Sequence, residues 1–386
     1  MYKKLVTGVA SLLLFLSFIF PAEARRYPSE EKARGGFEMS GYLNTGAGWQ
    51  KFSNDPITEI ADDGSYAGPL GEWLPGTTMG NPKPQPGDSY FEFFIPKVEL
   101  DIRKRFGDRA RLVADLQFGR LQSGSALPVP GINVVHAYGA VTLYKPKNVE
   151  IWIGRLGLQA GFEPYEDYIN DTISYSILWR GLVAPPNATG VQVTGDITDN
   201  VHYYFIVSNG TIHDTTFKVS DVPSFMNTWI INWGPDEKQS GVVITPYVGP
   251  ESNSNSVLSA GIDAYTYWWI TDKFQLGLEG TFQRDGATGQ GPTTHYAAAL
   301  LNLHWEFAKK WYVVGKYVYG GQYDVGNGAL NLTGAKQNIH EFTLCFGHYI
   351  TETAKIKFEG RLDAVDPANG PNQYVGGLAM SMNYAF

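Results

Sequence analysis

The chain has 386 residues, a formal net charge of −8, 44 glycines, 14% aromatic residues and one cysteine. A negative balance of this size argues against nucleic acid as a partner, and the lone Cys345 excludes an intrachain disulfide framework. Glycine and aromatic residues exceed ordinary globular usage, as close-packed strands with rings at a membrane interface require.

The N-terminal segment reads MYKKLVTGVASLLLFLSFIFPAEARR. Lys3 and Lys4 open it, an apolar run extends from Leu5 to Phe20, and Ala22, Glu23 and Ala24 form an A-x-A cleavage site. The run is shorter than the about 20 residues a helical span needs. The pattern predicts a cleaved signal peptide over 1–24, a short periplasmic segment over 25–35 and a single barrel over 36–386. No cysteine follows the cleavage site, so no lipid anchor is implied.

From there the chain alternates with period two, the side-chain repeat of a β-strand. Candidate strands fall at 36–52, 89–104, 110–122, 132–145, 148–160, 188–197, 200–209, 225–233, 240–249, 256–270, 273–285, 293–308, 311–324, 337–350, 354–366 and 373–386. Sixteen is the count read, within bounds of 14 and 18. Short joints such as FGDR, KPKN, ITDN, TDK, AKK and TETA alternate with longer Gly, Pro, Asn and Asp-rich segments. An up-and-down transmembrane barrel sorts its connections this way, with short periplasmic turns and longer external loops. The fold class predicted is all-β, a single antiparallel barrel.

Four strands alternate most cleanly. They place Lys97, Glu99, Asp101, Arg103, Arg111, Asp115, Glu279, Lys355, Lys357, Glu359, Arg361 and Asp363 on a wet face lining the lumen, six basic against six acidic residues. Such a lining hydrates the wall or stiffens it through cross-strand pairs, and carries no net field. The closing GGLAMSMNYAF turns Leu378, Met380, Met382, Tyr384 and Phe386 to one face. A terminal Phe386 after Tyr384 resembles the assembly signal of outer-membrane barrels. Tyr265, Tyr267, Trp268 and Trp269 before TDK, and Trp305, Phe307, Trp311 and Tyr312 around AKK, are expected in an interfacial girdle.

Two connections stand out. Residues 53–88 are long and acidic, with Asp55, Glu59, Asp62, Asp63, Glu72 and Asp88, and read as a solvated loop or a lipopolysaccharide contact through divalent ions. Residues 161–187, the third external connection, include ISYSILW, too apolar for a free loop. By fold-level analogy with general porins it folds into the lumen, where Glu163, Glu166, Asp167 and Asp171 face Arg155 and Arg180 at a constriction and favour cations. Packing on the rim or on a neighbouring subunit is the equal alternative. Tyr165, Tyr168, Tyr175 and Trp179 supply aromatic surface for a sugar, without regular spacing.

EIWIGRLGLQAGFEPYEDYIN followed by NDTISYSILWRGLVAPPNATGVQVTGDITDNVHYYFIVSNG carries a resemblance. Gly154 and Arg155 on a strand, the step from Gly161 to Glu163, then Pro185 and Gly190 before the next hairpin resemble the putative beta-barrel porin, OmpL-like family. The resemblance implies a porin channel with no cofactor and no catalytic residue.

No nucleophile elbow, H-E-x-x-H helix, phosphate loop or C-x-x-C pair occurs. His340 and His348 share strand parity but lie about 26 Å apart along an extended chain, too far for one metal. The asparagine triplets at Asn170, Asn187, Asn209 and Asn331 read as loop composition. The reading is an outer-membrane porin passing small hydrophilic solutes or ions. Its expected partners are membrane lipid and lipopolysaccharide, the barrel assembly machinery and two further copies in a homotrimer. Two other readings stay open: a rim-sited outer-membrane hydrolase, and a sleeve around a periplasmic redox protein.

Overall fold

The structure is a computed structural model and describes residues 37–52, 87, 89–119, 131–157, 160–164, 169–176, 178, 187–209, 222–235, 238–250, 258–285, 294–325, 337–366 and 372–386. The signal peptide, the 25–35 segment and the acids of the 53–88 connection lie outside these residues.

The strands are β1 (Phe37–Phe52), β2 (Ser89–Phe106), β3 (Ala110–Gly119), β4 (Gly131–Tyr144), β5 (Val149–Gly157), β6 (Asn187–Thr198), β7 (Val201–Ser208) and β8 (Ser224–Trp233). The second half holds β9 (Ser240–Gly249), β10 (Ser259–Thr271), β11 (Phe274–Asp285), β12 (Thr294–Ala308), β13 (Trp311–Val325), β14 (Gln337–Tyr349), β15 (Ala354–Asp366) and β16 (Gln373–Ala385). Each strand pairs antiparallel with its chain neighbours, and β1 pairs with β16, so the sheet closes into a barrel without an edge. Gly41 and Phe386 exchange backbone hydrogen bonds of 3.1 and 2.9 Å beside the seam. The even count and the alternation of tight turns with longer connections match the sequence reading.

Alternation fixes the two faces. In β15, Phe358 and Leu362 are 46% and 44% exposed outward, while Lys355, Lys357, Glu359, Arg361 and Asp363 are buried on the inner face. Leu378, Met380, Met382, Tyr384 and Phe386 are all exposed on the outer face, where lipid takes the place of water. No helix among the described residues is long and apolar enough to cross a membrane.

The expected aromatic girdle divides in two. Trp268, Trp305, Phe307 and Trp311 are exposed outward, as interfacial rings should be. Tyr265, Tyr267 and Trp269 share the parity of buried Asp263, and Tyr312 that of buried Lys316, so these four turn inward. Clustering in sequence ignored the pleat, which sends neighbouring rings to opposite faces.

Candidate functional site in the barrel lumen

The described residues between β5 and β6 lie against the inner face of β10 to β15. Apolar side chains seat it: Ile173 packs with Tyr312, Val314 and Cys345, and Leu178 with Ala298, Leu300 and Val318. Two glycines make room. A Cβ on Gly277 would run into the Phe162 ring, and one on Gly347 into the Tyr312 ring. Phe162 meets Tyr265 edge-on at 6.1 Å, and Tyr312 donates to the Asp171 carbonyl at 3.2 Å.

Charged wall residues then bond the connection's own backbone. The Ile173 N–H donates to Glu359 Oε2 at 2.6 Å and the Ser174 N–H to Glu359 Oε1 at 3.1 Å. The Ser174 hydroxyl also donates to Glu359. Lys355 Nζ donates to the Asn170 carbonyl at 2.9 Å, and Lys357 Nζ to those of Asn170 and Thr172 at 3.0 and 2.8 Å. Arg361 donates to the Tyr175 carbonyl. Asn170 closes the turn, its Oδ1 accepting from the Thr172 N–H at 3.1 Å. The first asparagine triplet is therefore a buried turn.

Behind these contacts lies a chain of alternating charges. Glu163 accepts from Lys316 Nζ at 2.6 Å and from the Ser176 N–H at 2.7 Å. Glu341 sits 3.8 Å from Lys316 and 3.1 Å from Arg361, and Arg361 is bidentate to Asp363 at 2.8 and 2.9 Å. Buried ions are tolerable because each meets an opposite charge with hydrogen bonds to spare. Asp171 lies 2.9 Å from His304 Nδ1 and 3.9 Å from Lys355. Burial pushes its carboxyl up, but His304 and Lys355 outweigh that and hold it below the usual aspartate range.

The opposite wall is bonded within itself. Glu99 accepts from the Tyr42 hydroxyl at 2.9 Å, Arg111 grips Glu150 through two contacts of 2.6 Å, and Asp115 lies 3.4 Å from His136. Asp101 and Arg103 are half-buried on the same inner face.

Several sequence expectations change here. Arg155 Nε donates to the Val135 carbonyl at 3.1 Å, while Lys316 meets Glu163 and His304 meets Asp171. Glu166, Asp167, Arg180 and the side chain of Lys97 lie outside the described residues, as do Tyr165, Tyr168 and Trp179. Tyr175 is buried against the wall and offers no face to a sugar. His340 contacts Tyr317 at 2.9 Å and His348 stacks on Trp311, so the two serve separate ring contacts. Lys316, Glu341 and His304 were missed. Lys316 is the one charge in WYVVGKYVYG, and the alternation used for β15 would have turned it inward.

A closed sixteen-strand barrel with an apolar outer belt, a charged inner face and a connection seated on that face defines an outer-membrane channel protein. Residues 36–384 match putative beta-barrel porin-2, OmpL-like, and the chain belongs to that family. Among curated protein sequences none matches it. It is similar in structure to the outer membrane channel DcaP of Acinetobacter baumannii, with a TM-score of 0.64 and 11% identity, over 95% of this chain and 100% of that one. It is similar also to the anion-selective porin from Comamonas acidovorans, with a TM-score of 0.56 and 11% identity, over 91% and 100%. A trimer form of OmpT from Vibrio cholerae gives 0.53 and 10% identity, over 92% and 100%. At these identities the likeness is one of fold.

Proposed function

We propose that the protein is a water-filled channel for small hydrophilic solutes whose aperture is set by the inward connection and whose charge selectivity is weak. The supporting observation is the double hydrogen bond from the Ile173 and Ser174 N–H groups to Glu359, which fixes that connection on one wall. Solutes pass between it and the opposite wall, and size exclusion does the sorting. Glu163, Glu359, Asp363, Lys355, Lys357 and Arg361 are occupied with each other and with the connection, so they exert little field on a passing ion. A cation preference then rests on Glu166 and Asp167. Three copies in the membrane, surrounded by lipid and lipopolysaccharide and inserted by the barrel assembly machinery, complete the reading, and the trimer form of OmpT supports the stoichiometry.

Single-channel recording of the refolded mature chain under a salt gradient tests this. Discrete steps with a reversal potential near zero are expected, shifted slightly toward cations and abolished in Glu166→Gln/Asp167→Asn. A folded barrel that passes no current would overturn the channel reading, and a strong reversal potential unaffected by the double variant would overturn the account of selectivity.

A further inference from the structure

We infer that a groove on the outer face of β12 to β16 seats one acyl chain of the lipid A part of lipopolysaccharide, with Lys51 at its upper end for the lipid's phosphate. The inference rests on the outer-membrane placement of the barrel and not on conduction.

Two register rows define the groove. In one, Leu303, Gly315, Leu344, Gly360 and Leu378 stand side by side on successive strands. In the next row toward the external end, Leu301, Tyr317, Phe342, Leu362 and Gly376 do the same, and Gly376 pairs with Lys51 of β1. Leu303, Leu344 and Leu378 project outward, and the two glycines between them leave notches. The space amounts to about 580 Å³. From β12 to β16 it crosses strands spaced about 4.8 Å apart and is therefore about 19 Å long.

Glycine inside a strand weakens it and marks a place where a ligand or a second backbone comes close. Among the described residues, nothing in this chain demands glycine at these two positions. A Cβ on Gly315 would meet no atom within 4 Å, one on Gly360 would meet only Leu378 Cδ2 at an ordinary 3.4 Å, and neither residue has a left-handed backbone. The room is kept for a molecule outside the chain. On the outer belt of a membrane barrel that molecule is hydrocarbon.

The slope of the groove selects the occupant. Leu301 lies midway along β12, whereas Lys51 is exposed at the external end of β1, one residue before the strand stops. The groove thus rises from the middle of the membrane to the external interface and ends at a cation. Its length of about 19 Å suits a chain inclined through one leaflet, about 15 Å of hydrocarbon. Lys51 complements the negative charge of a phosphorylated headgroup at that level. A side chain from a second copy would fill a notch without using Lys51.

The test uses the full mature chain refolded in detergent without lipopolysaccharide and titrated with purified lipid A. Native mass spectrometry counts the bound lipid, and the thermal unfolding midpoint is followed in parallel. One retained lipid A per chain and a raised midpoint are expected. Gly315→Leu/Gly360→Leu fills both notches where a side chain has room, and should weaken retention about tenfold or more. Lys51→Gln changes an exposed residue outside the packed wall and should weaken retention up to about fivefold. Failure of the unaltered protein to retain lipid A would overturn the proposal even if the glycine variant does not fold, and so would retention unchanged in both variants. Equal retention of phosphatidylglycerol would make the groove a general lipid contact and overturn the assignment to lipid A. A glycine variant that falls from trimer to monomer, with no lipid on the unaltered protein, would give the groove to a second copy instead. None of these readouts depends on conduction, so the groove stands or falls separately from the channel.

Discussion

Ser174 and Glu359 stand 185 residues apart, yet the Ser174 N–H donates to the Glu359 carboxylate at 3.1 Å and its hydroxyl donates to the same oxygen. With the Ile173 N–H at 2.6 Å, one carboxylate holds three donors of the inward connection. Glu359→Ala removes them all and leaves two buried N–H groups unpaired. Hydrogen bonds to a charged group contribute about 1.5–3 kcal/mol each at most. The variant should unfold at a lower temperature and conduct in larger, noisier steps. Unchanged conductance in a folded variant would mean that the connection is held elsewhere.

Lys316 is the hub of the charge network, 2.6 Å from Glu163 and 3.8 Å from Glu341. Lys316→Met leaves Glu163 without its cation, while Glu341 keeps Arg361 at 3.1 Å, and should cost about 3–5 kcal/mol, the usual penalty for breaking a buried pair. Glu163→Gln/Lys316→Met should lose less than the sum of the two single changes. Thermal or denaturant unfolding of the four proteins measures the coupling, and simple additivity would show that the 2.6 Å contact carries no energy of its own.

Much of this was legible in sequence because a barrel wall is written in period two. The charged and apolar faces of AKIKFEGRLDAV could be separated residue by residue, and strand ends fell within a few residues of those observed. Partnership was not legible. Glu163 and Lys316 are 153 residues apart, and which wall cation meets which loop acid depends on the path of a connection that has no period. Nearness in sequence pointed to Arg155, but among the described residues Glu163 meets Lys316 and Asp171 meets His304.

Gly277 gives a test of how closely the connection must approach the wall. A side chain there collides with the Phe162 ring, so Gly277→Val should evict that ring at a cost of about 1–3 kcal/mol, typical of overpacking. Phe162→Ala vacates the space. The double variant should therefore recover part of the stability lost by Gly277→Val alone, measured as the unfolding midpoint in detergent. No recovery would mean that Gly277 answers to strand geometry and not to Phe162.

Asp171 sets the acid limit of the loop's attachment. Its carboxyl is held below the ordinary value of 3.8 by His304 and Lys355 despite burial, so the folded state binds its proton less readily than the unfolded chain. The stabilisation is fully present above the ordinary aspartate value and fades as pH falls through the lowered one. Channel noise from a loosening connection should thus stay constant from neutral pH to about pH 4 and rise only below it. Asp171→Asn should be noisier than the unaltered protein at neutral pH and lack that added rise. Recordings at stepped pH decide between this and a different titrating group: an acid-induced rise that persists unchanged in Asp171→Asn would assign the limit to another carboxyl on the inner wall.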